Sequence, residues 1–288
     1  MSEPAILDRL AIVMAHPDDE VLWACSVLRA AEKVVLVFGE LRESPPLTEG
    51  RKAAMAAFPL PTLEWLEMVE ASVFGSASWP NARETEYGLY PHRALKALTH
   101  FDPERYRRQY GELRDRLRVS LRGMKNVITH SPWGEYGHED HSQVFRAVAS
   151  LAGEMGFQVW VPGYYAPMSE TLMRRNLVYL GRPTEPLPID HALAEEIAQI
   201  YKRTGSWTWF DSYQWPDTER FFPWYAGGPD AGAGARAEEI LQIRFPAGGG
   251  PAQPYWKRQA LRVKRRLSRL PRDVVRRGLS WWNGRMAR

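Results

Sequence analysis

Cysteine is nearly absent from this sequence: Cys25 is the single one in 288 residues. One thiol makes no internal disulfide, which excludes a disulfide-stapled scaffold and fits a reducing, cytoplasmic setting. Cys25 lies in an apolar helical pattern and is expected to pack as a small core hydrophobe. No apolar run of about 18 residues or more occurs, so no membrane-spanning helix is expected. The opening MSEPAILDRL has an early acid and no basic stretch ahead of an apolar one, so no secretory signal is expected. Basic charge is scarce outside one end. Residues 257–288 hold 12 of the 38 Lys and Arg but only Asp273 among the 34 acids, so the rest of the chain is net acidic. The basic pI therefore belongs to the tail, and no base-reading motif accompanies it; no nucleic-acid partner is expected. Glycine is missing from the first strand-to-helix turn, AHPDDEVL (15–22). A dinucleotide fold would need G-x-G-x-x-G there.

What is present is an alternation of strand and helix patterns. Short apolar runs at 9–15, 33–40, 60–68, 125–131, 157–165 and 176–181 read as strands. Segments 18–33, 47–58, 102–124, 138–156 and 190–205 read as helices, the last two closed by glycine. Asp102 and Pro103 start the third of these in the manner of a capped helix. Residues 70–100 are irregular. This order predicts an α/β, Rossmann-like, mostly parallel sheet with helices on both faces, followed by a basic C-terminal helical tail. The expected division is an α/β domain over 1–225, a Gly/Pro-rich loop or linker with a short strand over 226–256, and the tail over 257–288.

Two polar motifs follow strands in this scheme. AHPDDE ends the first, and THSPWGEYGHEDH (129–141) follows the strand at 125–131. In an open α/β sheet, ligands bind beyond the carboxyl ends of the strands. If the two strands are neighbours, His16, Asp18, Asp19, His138 and His141 share one crevice, with His130 nearby. Histidine and carboxylate converging in one pocket suit a divalent metal, zinc above all. His16, Asp19 and His141 would supply three ligands, leaving Asp18 as general base and His138 to stabilise an oxyanion. Spacing does not choose between Asp18 and Asp19, or between His138 and His141. His92, His100 and His191 stand in polar surroundings and read as surface residues.

The two blocks, 11–23 and 126–147, resemble the LmbE/PIG-L family of zinc-dependent N-deacetylases; the resemblance is weaker through the rest of the α/β core to about residue 205 and does not cover the tail. It implies an enzyme, an amidohydrolase acting on linear amides, with one Zn2+ per chain held by His16, Asp19 and His141. It further implies Asp18 as the general base, His138 at the oxyanion or leaving group, Tyr136 on the tetrahedral intermediate and Arg51 as a substrate-binding residue. The implied substrate is an N-acetylglucosamine-type sugar in a glycoconjugate. Two departures concern the substrate side: Ala54 stands where the family often has glutamate, and EMVEASVFG (67–75) lacks the usual acidic turn.

Two further stretches bear on partners. WTWFDSYQWPDTERFFPWY (207–225) holds nine aromatics, which suit both a packed cover for the sheet edge and rings lining a sugar cleft. In the tail, Ala260, Val263, Leu267, Leu270 and Val274 form one helical stripe opposite arginines, with Trp281 and Trp282 beyond. That is the profile of a helix lying on an anionic membrane surface, and it points to a lipid-linked substrate handled peripherally at the inner face. Packing against the body or another subunit is the bland use of the same stripe. The other functional readings are a deacetylase of a soluble sugar-containing metabolite and a non-catalytic glycan- or membrane-binding protein on this scaffold. The sequence leaves the oligomeric state open.

Overall fold

The computed structural model of the chain describes residues 5–92, 100–230 and 234–245. The basic tail 257–288 lies outside the described residues. The chain up to Arg244 is one compact unit. Among the described residues, no helix is long and apolar enough to cross a membrane.

Five parallel strands and one antiparallel strand form the central sheet. They are β1 (Leu10–Met14), β2 (Lys33–Glu40), β3 (Leu63–Val69), β4 (Asn126–Thr129), β5 (Gln158–Pro162) and β6 (Phe221–Trp224). Their order is β6-β5-β4-β1-β2-β3, with β6 antiparallel to β5 at the edge. β1 is the sheet's centre: Ile12 pairs with Val34 of β2 on one side and Ile128 of β4 on the other. All five of its residues are buried, as a parallel strand covered on both faces requires.

The helices are α1 (Asp19–Trp23), α2 (Pro45–Ala56), α3 (Pro103–Ser120), α4 (Glu139–Met155), α5 (Glu170–Asn176) and α6 (His191–Thr204). α3 packs on α4, and α2 on α6. Leu113 and Leu117 of α3 and Val144, Phe145, Val148 and Leu151 of α4 share a core with Ala11, Val13, Val35, Val37 and Val127. Those strand residues alternate with Leu10, Ile12 and Val34, which face the opposite side and are equally buried. The doubly covered α/β sheet expected from the sequence is therefore present.

Local capping explains the starts of the helices. Ser44, Asp102 and Asp190 accept hydrogen bonds from the N–H of Leu47, Arg105 and Leu193, and Gly156 and Gly205 end α4 and α6 in the left-handed conformation. Three elements differ from expectation. The segment 18–33 is a short α-helix followed by a 3-10 turn over Cys25–Ala30. The Ser26 amide donates to Glu219 Oε2 at 2.8 Å, which takes it out of the helical ladder. The run at 176–181 is no strand: α5 passes into a 3-10 turn at Leu177–Tyr179, with Val178 65% exposed, and only Leu180 and Gly181 form isolated bridges. Conversely, β6 lies in the aromatic block, where Pro223 hid it; an edge strand tolerates proline. Cys25 is buried, as a core residue should be.

Glu219 is 1% exposed and accepts from both the Ser26 amide and the Tyr164 hydroxyl. Glu219→Ala is expected to lower stability by about 1–3 kcal/mol, since two buried donors lose their partner. Urea unfolding with an unchanged m-value would show it; an unchanged midpoint would contradict it.

Candidate metal-dependent active site

The strand order places β1 beside β4, with β2 and β3 continuing on one side and β5 on the other. This is the switch point of an open α/β sheet, where two loops part and leave a crevice. The AHPDDE turn leaves β1 here and the THSPWGEYGHEDH loop leaves β4. His16, Asp18, Asp19, His138 and His141 meet as a result, all 7% exposed or less.

Asp19 Oδ2 is the focus. It lies 3.2 Å from His16 Nδ1, 3.2 Å from His141 Nε2 and 3.4 Å from His130 Nε2. Its other oxygen accepts from Trp23 Nε1–H at 3.1 Å. The possible ligand atoms of His16, His138 and His141 lie within 4.8 Å of one another, as do those of Asp19, His130 and His141, and those of His16, Glu70 and Asp140. The trio implied by the resemblance draws on the first two groups, which share His141. His130 serves otherwise, because its Nε2 accepts the Ala15 N–H at 2.8 Å.

The protons decide what the cluster can hold. His141 Nδ1 lies 2.6 Å from Glu135 Oε2, and a carboxylate there requires an N–H donor. A neutral His141 therefore has its lone pair at Nε2, a buried atom without a hydrogen-bond partner, facing Asp19 Oδ2. His16 differs: its Nδ1 hydrogen-bonds Asp19 Oδ2 at 3.2 Å, and its Nε2, a buried atom without a hydrogen-bond partner, lies 3.5 Å from Asp140 Oδ2. The lone pairs that face each other between His141 and Asp19 in a dry pocket need a proton or a cation between them. Donors about 2.0–2.1 Å from a tetrahedral zinc are about 3.3 Å apart, so the two 3.2 Å separations fit such an ion. Burial alone would pull His16 down, but Glu70, Asp140 and Asp19 push it up to about 10.

Asp18 has a different setting. It precedes α1 with φ 101°, a left-handed conformation that is rare outside glycine. Its N–H donates to Glu20 Oε2 at 3.2 Å, and its Oδ2 accepts from the Thr208 N–H and hydroxyl, both at 2.8 Å. Burial and the adjacent Asp19 carboxylate push Asp18 up to about 7, against the two bonds from Thr208. A carboxyl poised there suits acid–base work near neutral pH.

His138 caps α4: its Nδ1 accepts the Asp140 N–H at 3.2 Å. Burial, with the neighbouring His141 and His16, holds it well below the usual imidazole range. It is thus a neutral imidazole with its proton at Nε2, a donor rather than an imidazolium. Its ring stacks on Phe74 at 4.3 Å and on His141 at 4.6 Å. Tyr136 is half-buried, 5.3 Å from the His141 ring and 5.0 Å from Trp209 between ring centroids. Arg51 lies beneath the site, 3% exposed, donating to Glu70 Oε1 at 2.5 Å and the Gly39 carbonyl at 3.4 Å. Glu70 Oε1 is in turn 3.8 Å from His16 Nε2. His92, His100 and His191 are exposed, away from this cluster.

Residues not singled out from the sequence complete the site. Glu135 and Asp140 stand behind His141 and His16, and both lie inside the second motif, where two more acids among histidines were the available signal. Glu20 reads in the sequence as a first-turn helix acid, yet it is fully buried and accepts from the Tyr201 hydroxyl at 2.7 Å. Glu70 and Thr208 had no local signal; Thr208 stands 190 positions from Asp18.

No family model matches the chain, and no curated protein matches it. Similar solved structures include a deacetylase of teicoplanin biosynthesis in complex with teicoplanin, 14% identical, covering 77% of this chain and 98% of its own at a TM-score of 0.48. The zinc-inhibited form of the teicoplanin deacetylase Orf2 is 16% identical, covering 74% and 97% at a TM-score of 0.49. The A40926 pseudoaglycone deacetylase Dbv21 is 14% identical, covering 75% and 96% at a TM-score of 0.49.

Proposed function

We propose that this chain is a zinc-dependent hydrolase that removes an N-acetyl group from an N-acetylglucosamine-type sugar in a glycoconjugate. One observation carries the metal part: Asp19 Oδ2 and His141 Nε2 face each other at 3.2 Å while His141 Nδ1 is bonded to Glu135, and a second carboxylate, Asp18, stands beside them. His16, Asp19 and His141 would hold the ion. The sugar and the acetyl group rest on the resemblance of the AHPDDE and GEYGHEDH blocks.

A bound divalent ion would supply Lewis acidity toward the water and the amide carbonyl. Asp18, fixed through Oδ2 by Thr208, takes the proton of the attacking water as its oxygen bonds to the carbonyl carbon. His138 Nε2–H and the Tyr136 hydroxyl donate to the oxygen on which charge develops. Asp18 then returns its proton to the sugar nitrogen as the C–N bond breaks, releasing acetate and a free amine. The tail favours a substrate at an anionic membrane surface; a soluble sugar metabolite is the alternative.

The purified chain is expected to hold one zinc and to release acetate from N-acetylglucosaminyl conjugates. Asp18→Asn should keep the metal while turnover falls about 10²–10⁴-fold, and undiminished turnover would remove Asp18 as the base. His141→Ala should lose the metal. Metal uptake should release protons: His16, held near 10 without metal, is protonated below that pH and must lose its proton to bind. Affinity should therefore rise with pH, about tenfold per unit for each proton released. Calorimetry in buffers of different ionisation enthalpy reads this directly, and a pH-independent affinity contradicts it. Deleting 257–288 should abolish binding to anionic-lipid vesicles and leave acetate release from a soluble conjugate intact. Equal vesicle binding with and without the tail would leave the soluble substrate.

A further inference from the structure

Glu135 is fully buried in the loop between β4 and α4, with φ 46°. Its Oε1 accepts the Ser131 N–H at 2.6 Å. Its Oε2 lies 2.9 Å from His130 Nδ1 and 2.6 Å from His141 Nδ1. Its own N–H donates to Ser131 Oγ at 3.0 Å, and its carbonyl accepts from the Ser169 hydroxyl and the Ala166 N–H. A carboxylate so enclosed has one stable arrangement, with donors on every side.

The two imidazoles stack, centroids 3.7 Å apart and planes 21° from parallel, so both present Nδ1 to the same oxygen. His130 Nε2 accepts an N–H and both Nδ1 atoms face a carboxylate oxygen, which places the ring protons at Nδ1. Each Nε2 is then a lone pair with its own target. His130 Nε2 takes the Ala15 amide, the residue before His16, and His141 Nε2 faces Asp19. A single chain of hydrogen bonds thus runs from the end of β1 through His130 and Glu135 to His141.

We infer that Glu135 is a positioning residue: one carboxylate oxygen sets the tautomers of His130 and His141 together, aiming His141 Nε2 at the metal and tying the two halves of the site. The inference rests on the metal reading above. Without the carboxylate, His141 is free to carry its proton at Nε2, where it competes with the ion. Ligand-orienting carboxylates of this kind change metal affinity about 10–100-fold when removed.

The test uses the full-length chain. Imidazole nitrogen NMR of the unaltered protein should show His130 and His141 both as Nδ1–H tautomers, whether or not Glu135 variants fold. Glu135→Gln, of equal size, should weaken zinc and cobalt(II) binding about 10–100-fold in chelator competition. It should also shift the cobalt(II) d–d bands while the far-ultraviolet circular dichroism is unchanged. An Nε2–H tautomer at either histidine, or unaltered affinity in folded Glu135→Gln, overturns the inference. The two readings separate cleanly. An unaltered chain that binds neither ion sinks the proposed function. Tight binding by both forms sinks the role of Glu135 alone.

Discussion

The site depends on one electrostatic conflict: a carboxylate oxygen, Asp19 Oδ2, held by the amide and ring of His16, also faces His130 and His141, whose ring protons are committed to Glu135. Glu135 draws the proton of His141 to the far side of its ring, so the lone pair at Nε2 points inward. Unmatched charge in such surroundings costs several kcal/mol, a large share of the stability of an ordinary domain. The pocket must therefore be closed by protons or by a cation, and the high affinity of metal-free His16 for a proton expresses that demand.

The fold answers the conflict by rigidity. β1 is buried over its whole length and paired on both sides, so the turn it feeds has little freedom. Asp18 tolerates its left-handed backbone because Glu20 holds its amide and Thr208 holds its carboxylate. Trp215 adds to the same frame, donating from Nε1 to the Val21 carbonyl at 2.7 Å. The aromatic block thus packs against the site and also fixes the orientation of its candidate base. Strain at one backbone position persists because the surroundings over-determine it.

Sequence made the scaffold legible where periodicity and capping agreed, as in α3, α4 and α6. It failed where a distant side chain intervened. Glu219 ends the first helix early by capturing the Ser26 amide, and no local pattern near residue 26 announces that. The histidines and the AHPDDE acids were legible because strand ends in this topology converge by rule. Glu70 and Thr208 were not, since what brings each to the site is tertiary packing rather than spacing. Glu135 and Asp140 lie between: their motif drew notice, but their task depends on which nitrogen of each histidine they face.

The pocket sorts its acids by neighbour. Burial raises every one of them, but imidazoles outweigh it for Asp19, held well below the usual carboxylate range, and for Glu135, held at about 2. Where the partners are hydroxyls or backbone amides, burial wins: Asp18 rises to about 7, Glu20 to about 8 and Glu139 to about 7. Glu139 spends its carboxylate on the amides of Gly75 and Ala77, beside the Phe74 ring that stacks on His138. Permanent charge is thereby held on Asp19 and Glu135, whereas burial still raises Asp140 beside His16. The acid set apart from them, Asp18, keeps the freedom to gain and lose a proton near neutrality, and separate environments are what let adjacent aspartates divide those tasks.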